Sequence, residues 1–273
     1  MEKMQTPIES YLEALTSNQS LVDIIAQHFF KKTPAFFALG YFFVYQDYFY
    51  PKGGTGKLSM KLQQKAQDLG AMFKLNTEVV NVLAAKKQVL DNKGQVYGYD
   101  TLLWCGDLKF LYRNLDTSML EPKTVAAIDK QAEKVFSSRG GDSVFTLFLG
   151  VEKEPQAFAE RTKAHLFYTP SKQGLGQTHL SQLKTLLDNG SNSTKAEILS
   201  WVQTYCALTT YEISIPSLRD PNLSPLGKTG LVISFLLEYD LVRLVTDQQW
   251  YEEFKDYVEE QMIKILNQTV FKG

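Results

Sequence analysis

Residues 50–82, YPKGGTGKLSMKLQQKAQDLGAMFKLNTEVVNV, combine a glycine pair, an amphipathic helix pattern and a strand pattern in one short unit. Gly53 and Gly54 come directly before apolar residues at helical spacing, and Gly70 follows them where a left-handed helix C-cap is expected. Glycine lets the backbone approach a flat or anionic ligand closely, and the amides of a helix N-terminus favour negative charge. The spacing alone also fits a simple turn and N-cap, because GGTG is neither the dinucleotide fingerprint nor a phosphate loop.

Short strands are predicted next, at residues 73–75 and 78–83. A hairpin is predicted after them, with strands at 88–90 and 95–97 on either side of the turn DNKG. Residues 101–105, TLLWC, are continuously apolar after the first position and predict a buried strand.

A second informative segment, residues 213–228, has the sequence ISIPSLRDPNLSPLGK. It precedes an apolar strand pattern at 231–237 and a helix that opens near Trp250. Together with the first segment it resembles the phytoene desaturase and carotenoid isomerase branch of the flavin amine oxidase superfamily. The residues of this segment that match the branch are Pro216, Ser217, Asp220, Pro221, Pro225, Gly227 and Lys228.

The resemblance implies an α+β or α/β fold: a mixed-sheet substrate lobe with helices, plus the middle strands and hairpin of a FAD-binding domain. Residues 1–49 would be a helical part of the substrate lobe, 50–112 the middle of the FAD-binding domain, and 113–273 the rest of the lobe. The family's N-terminal GxGxxG turn and its C-terminal flavin segment have no match here. The expectation is therefore a central fragment that is inactive alone and retains no FAD.

The implied activity is hydride transfer by FAD to or from an apolar isoprenoid or polyene substrate. The resemblance implies that Gly53 and Gly54 approach the flavin and that the backbone of Val79 contacts the adenine. Asp220 is expected to cap a Pro-rich turn, with Lys228 on its rim. No catalytic acid or base is assigned, because the flavin carries the chemistry. Two alternatives remain open: a non-catalytic module for lipophilic ligands, and a flavin-dependent polyene isomerase.

An aromatic run, FFALGYFFVYQDYFY at residues 36–50, supplies Phe42, Tyr45 and Tyr48 as candidates for lining a substrate site. Tunnel wall, ordinary core and domain interface are equally open interpretations of this run. Its uninterrupted apolar part is shorter than the ~20 residues of a spanning helix. A cytoplasmic protein is expected, with peripheral membrane contact left open.

Composition argues against several other classes of protein. The chain has 273 residues, with 29 basic and 30 acidic ones. It therefore has no excess of positive charge that would attract nucleic acid. His28, His165 and His179 are far apart in sequence without acidic or cysteine partners beside them, which makes a metal site improbable. Cys105 and Cys206 are too few for a disulfide framework, and both are predicted to be small core residues.

The remaining pattern predicts alternating helices and strands. Strands are expected at 143–150, buried on both faces, and at 165–168. Helices are expected at the N-terminus, with Ile8, Leu12 and Leu15 on one face, and then at 124–135, 178–187, around Trp201, and at 248–266. The segment NGSNST at 189–194 is predicted to be a loop.

Overall fold

Helices and two separate four-stranded sheets form the protein in the computed structural model, which describes residues 2–44, 49–139 and 142–272. One sheet is antiparallel and the other is mixed, which confirms the predicted α+β class. The chain divides into two compact units, residues 1–61 with 141–273 and residues 62–140. The functional division at 49/50 and 112/113 stays a prediction, and the compact units have other boundaries.

The described helices are α1 Glu2–Gln5, α2 Ile8–Glu13, α3 Gln19–Ala26, α4 Ala35–Val44, α5 Gly56–Asp68, α6 Leu108–Arg113, α7 Pro122–Ser137, α8 Pro155–Ala159, α9 Gly176–Asn189, α10 Lys195–Leu208, α11 Tyr239–Asp247 and α12 Tyr251–Gln268. The strands are β1 Val79–Leu83, β2 Gln88–Asp91, β3 Val96–Gly98, β4 Leu115–Asp116, β5 Ser143–Val151, β6 His165–Tyr168, β7 Tyr211–Ser214 and β8 Thr229–Leu237. Short 3-10 turns occupy Ala84–Lys86, Gly190–Asn192, Pro216–Leu218 and Pro221–Leu223.

The first unit is built on the antiparallel sheet, with strand order β5-β8-β7-β6. Every second residue of β8 is buried, and these residues pack with α9, α10, α11 and α12 into the main core. The prediction that β5 is buried on both faces is wrong, since Phe148 is 75% exposed. An antiparallel sheet needs cover on one face only, so its strands alternate between core and solvent.

A smaller core in the first unit brings α2, α3 and α4 together around Ile8, Val22, Phe29 and Ala38. The N-terminal helix is predicted to be continuous, but it breaks at Thr6 and Pro7 into α1 and α2. Proline has no amide hydrogen and fits the start of a helix better than its interior. Ile8 and Leu12 are buried, whereas Leu15 lies beyond the end of α2 and is exposed.

The second unit contains the mixed sheet, with strand order β3-β2-β1-β4. The predicted hairpin is confirmed, and the buried carboxylate of Asp91 holds its turn by accepting hydrogen bonds from the amides of Lys93 and Gln95 and from the hydroxyl of Tyr97. Among the described residues 62–139, Val82 is the single buried hydrophobic side chain. This sheet therefore has little core of its own.

Two predicted strands of the second unit are absent from the described structure. Neither 73–75 nor 101–105 is paired with another strand, and Leu103 is 83% exposed. A strand exists only where another strand satisfies its backbone groups, which an apolar sequence alone does not supply. Cys105 is consequently exposed and not the core residue predicted, whereas Cys206 on α10 is buried as predicted.

The other predicted elements are confirmed within a few residues of their boundaries. The helices predicted at 124–135, 178–187 and 248–266 correspond to α7, α9 and α12, and the helix around Trp201 is α10. The strands predicted at 165–168 and 231–237 are β6 and β8. The segment predicted to be a loop at 189–194 contains a 3-10 turn between α9 and α10.

Candidate functional site

The glycine pair forms a tight turn directly before α5. Gly53 and Gly54 have φ angles of 83° and 90°, which residues other than glycine adopt only with strain. The amide of Gly54 donates to the carbonyl oxygen of Pro51 at 3.0 Å, which closes the turn. At the other end of α5, Gly70 has a φ of 92°, so the predicted left-handed cap is confirmed.

Asp220, from the second informative segment, binds this turn. Its Oδ2 accepts a hydrogen bond from the amide of Gly53 at 2.7 Å, and its Oδ1 accepts from the backbone and side-chain nitrogens of Asn222 at 3.1 and 3.0 Å. The hydrogen bond from Gly53, followed by those from Asn222, lowers the pKa of the Asp220 carboxyl below its usual value. Asp220 therefore caps its own 3-10 turn, as predicted, and also joins the two informative segments.

The anion that the glycine turn attracts is thus a side chain of the same chain. The amides of Gly53 and Gly54 are both already hydrogen-bonded, so neither points free toward a ligand. A flavin contact at these glycines stays a prediction and would use the Cα atoms and carbonyl groups. Val79, the third predicted cofactor contact, is half-buried at the start of β1 in the second unit, where a bulge separates it from Asn81.

The aromatic run forms α4, with its small residues turned inward. Ala35 and Ala38 are buried, while the larger Phe37 and Phe43 are mostly exposed. The interpretation as ordinary core residues is therefore wrong for these two phenylalanines. Phe42 packs on Phe29 and stacks on His28, with ring centroids 5.2 and 5.6 Å apart, and remains 37% exposed. Tyr45 and Tyr48, the other predicted lining residues, lie outside the described residues.

His28 belongs to a polar cluster that the sequence did not indicate. Its ring meets Phe167 edge-on at 4.0 Å, and the neighbouring His165 ring nitrogen lies 2.9 Å from a carboxylate oxygen of Glu212. Burial lowers the pKa of His28, partly countered by the charge of Glu212. No acidic residue lies beside His165 in the sequence, and the pairing of β6 with β7 brings Glu212 to it.

The first unit contains a cavity of about 220 Å³. Its apolar wall comes from α3, α9 and α10 and includes Val22, Ala26, Leu183 and Trp201. The edge carries charged side chains from α2, α3 and the residues after β8. None of these cavity residues is among the predicted site residues, because α3 itself was not predicted.

Gln27 holds the elements around this cavity together. Its side-chain nitrogen donates to the carbonyl of Leu208 and the hydroxyl of Thr210, at 3.0 and 2.9 Å, and its side-chain oxygen accepts from the amide of Leu175 at 3.0 Å. The same loop approaches α3 so closely that a Cβ on Gly174 would lie 2.8 Å from the Cβ of Asp23. One amide side chain thus fixes three segments of the cavity wall.

At the cavity edge, Lys31 pairs with Glu238 and with Asp142, the latter at 3.4 Å. Burial acts to lower the pKa of Lys31, but the hydrogen bond to Glu238 and the charges of both carboxylates outweigh it and raise the pKa. Lys31 is therefore held in its charged form by this pair of acids.

His179 lies beside the aromatic part of the same wall. It is 3% exposed, stacks on Trp201 with centroids 4.5 Å apart, and has no hydrogen-bond partner at either ring nitrogen among the described residues. Burial lowers its pKa to about 4, so the ring is neutral at pH 7. A neutral imidazole here acts as an aromatic packing residue.

Within the described residues, no group of three or more His, Cys, Asp or Glu side chains is arranged to hold a metal ion. No helix in the described part of the chain has the length and apolarity needed to cross a membrane.

Comparison with known proteins bears on the fold alone. No protein-family model matches the chain. It is similar in structure to the PF1083 protein from Pyrococcus furiosus, with a TM-score of 0.53 and 12% sequence identity, over 93% of this chain and 55% of that one. The chain thus spans about half the length of that protein, and the likeness shows a shared fold. A weaker match, to reduced UDP-galactopyranose mutase, has a TM-score of 0.45 and 15% identity, over 70% of this chain and 32% of the other.

Proposed function

We propose that this chain is the substrate-binding portion of a FAD-dependent oxidoreductase of the phytoene dehydrogenase-like type, acting by flavin hydride transfer on an apolar isoprenoid or polyene substrate. The contact between Gly53 and Asp220 carries the proposal. It joins residues 50–82 with residues 213–228, which bear the resemblance separately in the sequence. Motifs that meet in space as one polar unit support a common architecture better than either motif alone.

The glycine turn fits one part of a flavin site and not another. Gly53 and Gly54 have no side chains to obstruct the close approach of a flat ring. Their amides are used within the turn and by Asp220, so they do not fit a phosphate cradle. In this proposal the pyrophosphate of FAD is held by other residues. When bound, FAD supplies the hydride chemistry, and the protein orients the substrate.

The exposed face of α5 supports a further polypeptide contact in the complete flavin site. α5 has no buried residue, although Leu58 and Leu62 are large apolar side chains, and Leu69 directly after the helix is also exposed. Contiguous apolar surface of this kind marks an interaction site. We assign it to the remaining segments of the FAD-binding domain.

The aromatic face of α4 is the proposed contact for a long apolar substrate. Phe42 offers a partly exposed ring backed by His28 and Phe29, which hold it in place. Rigid aromatic side chains bind apolar molecules with little loss of conformational entropy. The same face would allow peripheral contact with a membrane from which such a substrate is collected.

A second candidate function is a non-catalytic module for small ligands. The cavity of the first unit favours it, because the walls that enclose this cavity all belong to that unit. Binding there would need no flavin.

The two candidates differ in what the native gene product contains. We would purify it gently from its source and measure its mass together with its visible absorption spectrum. A product longer than 273 residues with bound flavin supports the oxidoreductase proposal. A native product of this same length without flavin contradicts it and leaves the binding module.

A further inference from the structure

The cavity of the first unit lies between the two hydrophobic cores of that unit. Val22, Ala26 and Phe29 belong to the small core of α2, α3 and α4, whereas Leu183 and Trp201 belong to the main core. Apolar side chains of both cores therefore face each other across the cavity. Side chains that border a cavity lack packing partners on that side, and an apolar ligand that fits the cavity supplies those contacts.

Three polar side chains in the cavity wall already have partners in the protein. The indole nitrogen of Trp201 donates to the carbonyl oxygen of His179 at 3.2 Å, and the hydroxyl of Tyr205 donates to the carbonyl oxygen of Leu236. The side chain of Gln27 uses both its nitrogen and its oxygen in hydrogen bonds within the protein. A ligand hydroxyl or ammonium group that entered this wall would give up hydrogen bonds to water and compete with bonds already made, which is unfavourable.

Polar contacts between the surrounding elements fix the shape of the cavity. Gln27 joins α3 to the segments that precede α9 and β7, and at the cavity edge Lys31 pairs with Glu238 and Asp142. The walls are thus positioned by the fold itself, and a preformed site loses little free energy to ordering when it binds a ligand. Because two carboxylates engage the ammonium group of Lys31, this group does not attract an anionic ligand.

The volume of the cavity restricts the ligand to a compact molecule. An apolar cavity of about 150 Å³ is enough to hold benzene. At about 220 Å³, this cavity has room for one aromatic ring with a short substituent. It is smaller than the ~300–1,000 Å³ of typical sites for drug-sized ligands, and too small for a long polyene. The rings of Phe29 and Trp201 in its wall favour an aromatic ligand, because aromatic pairs are stabilised beyond the effect of area burial.

We infer that this cavity binds a small, neutral, apolar molecule built on one aromatic ring. The ring lies between Val22 and Ala26 of one core and Leu183 and Trp201 of the other. The inference goes beyond the proposed oxidoreductase function, because neither the glycine turn nor Phe42 lines the cavity and no bound flavin is needed. Failure of the tests below would therefore leave the oxidoreductase proposal unchanged.

Three probes of equal size test the inference by calorimetric titration of the whole chain at pH 7. Ethylbenzene is apolar, benzyl alcohol is polar but neutral, and benzylamine is cationic. We expect ethylbenzene to bind at least about tenfold more tightly than benzyl alcohol, the effect of burying one hydroxyl without a free partner, and benzylamine to bind more weakly still. No binding of ethylbenzene, or binding of either polar probe as tightly as ethylbenzene, would overturn the inference.

Variants at Ala26 locate the site. Ala26→Leu adds a side chain that takes up part of the cavity, and we expect it to weaken ethylbenzene binding at least about tenfold. Ala26→Val inserts less volume and should weaken binding less, and it serves as the test if leucine disturbs the packing of α3. Circular dichroism shows which variants fold.

Ala196→Leu is the matched control. It makes the same change at an exposed position of α10 outside the cavity lining, and should leave ethylbenzene binding as it was. Unchanged affinity in every folded Ala26 variant, or an equal loss in Ala196→Leu, refutes the assignment to this cavity.

Discussion

The amide of Gly53 donates a hydrogen bond of 2.7 Å to the carboxylate of Asp220, 167 positions further along the chain. Gly53, with its positive φ, is part of the tight turn that lies against the loop that Asp220 caps. A turn that requires glycine thus makes a polar contact with a segment that is far away in the sequence. Its two ends can be tested separately.

Gly53→Ala tests the backbone end. With a φ of 83°, alanine at this position is strained, and we expect a loss of about 1–3 kcal/mol in the free energy of unfolding. Gly56→Ala is the matched control, because Gly56 has no such φ and an added Cβ meets nothing within 4 Å. Chemical denaturation should show the control unchanged or stabilised by about 0.4–1 kcal/mol. Equal stability of the two variants would contradict the role of Gly53.

Asp220→Asn tests the carboxylate end through pH. Hydrogen bonds from Gly53 and Asn222 lower the folded-state pKa of Asp220, so its ionised form stabilises the fold above the unfolded-state pKa of about 3.9. This contribution is lost as the pH falls through the lower, folded-state value. The stability difference between wild type and Asp220→Asn should therefore be widest near neutral pH and narrow progressively below about pH 4.

Denaturation curves from pH 7 down to the acid limit measure that difference. Asp247→Asn is the control, since Asp247 is an exposed carboxylate at the end of α11. Its stability difference from wild type should not show the same narrowing. A constant difference for Asp220→Asn over the whole range would mean that the charge of Asp220 does not stabilise the glycine turn.

Elements whose signals are local could be predicted from the sequence. The hairpin follows from Asp91 and Gly94, which form their turn with neighbouring residues. The end of α5 follows from Gly70, which needs only its own φ. The helix α3 carried a comparable signal that was missed: Asn18 caps it, and Val22, Ala26 and Phe29 follow at helical spacing. That pattern would have indicated the cavity wall.

Elements that depend on distant partners could not be predicted. Leu103 is in an apolar segment that predicts a strand, yet no described strand pairs with it. Glu212 reaches His165 only through the register of β6 with β7, and Glu9 meets the cavity only through the packing of α2 on α3. Sequence spacing does not encode strand register or helix packing across such separations.

His179→Phe tests the buried imidazole on the wall beside Trp201. Each unpaired buried nitrogen costs about 1–3 kcal/mol, and phenylalanine removes this cost. Strain from the larger phenyl ring offsets part of the gain, so we expect the free energy of unfolding to rise by a net amount on the order of 1 kcal/mol. Burial also holds the folded-state pKa of His179 at about 4, below the unfolded-state value of 6.5. The unfolded chain thus binds more protons between these values, and the stability of the wild type falls as the pH falls from 6.5 to 4.

In His179→Phe this acid-dependent loss should be smaller. It should not vanish, because burial lowers the pKa of His28 in the same direction. Thermal unfolding at pH 7 and pH 5 compares the two proteins. The same loss between these pH values in both proteins would show that His179 is not held neutral by the fold.

Phe42→Ala tests the proposed apolar surface on α4. Burying a phenylalanine side chain against a ligand is worth about 1.5–3 kcal/mol, so removing the ring should weaken binding of all-trans-retinol, a polyene probe, about tenfold or more. Fluorescence titration measures the affinity, and circular dichroism checks that α4 still folds without the contacts of Phe42 to His28 and Phe29. Phe148→Ala removes an equally apolar and more exposed ring from β5 and should leave the affinity unchanged. If both variants bind retinol as the wild type does, or if the wild type does not bind it, α4 is not the polyene surface.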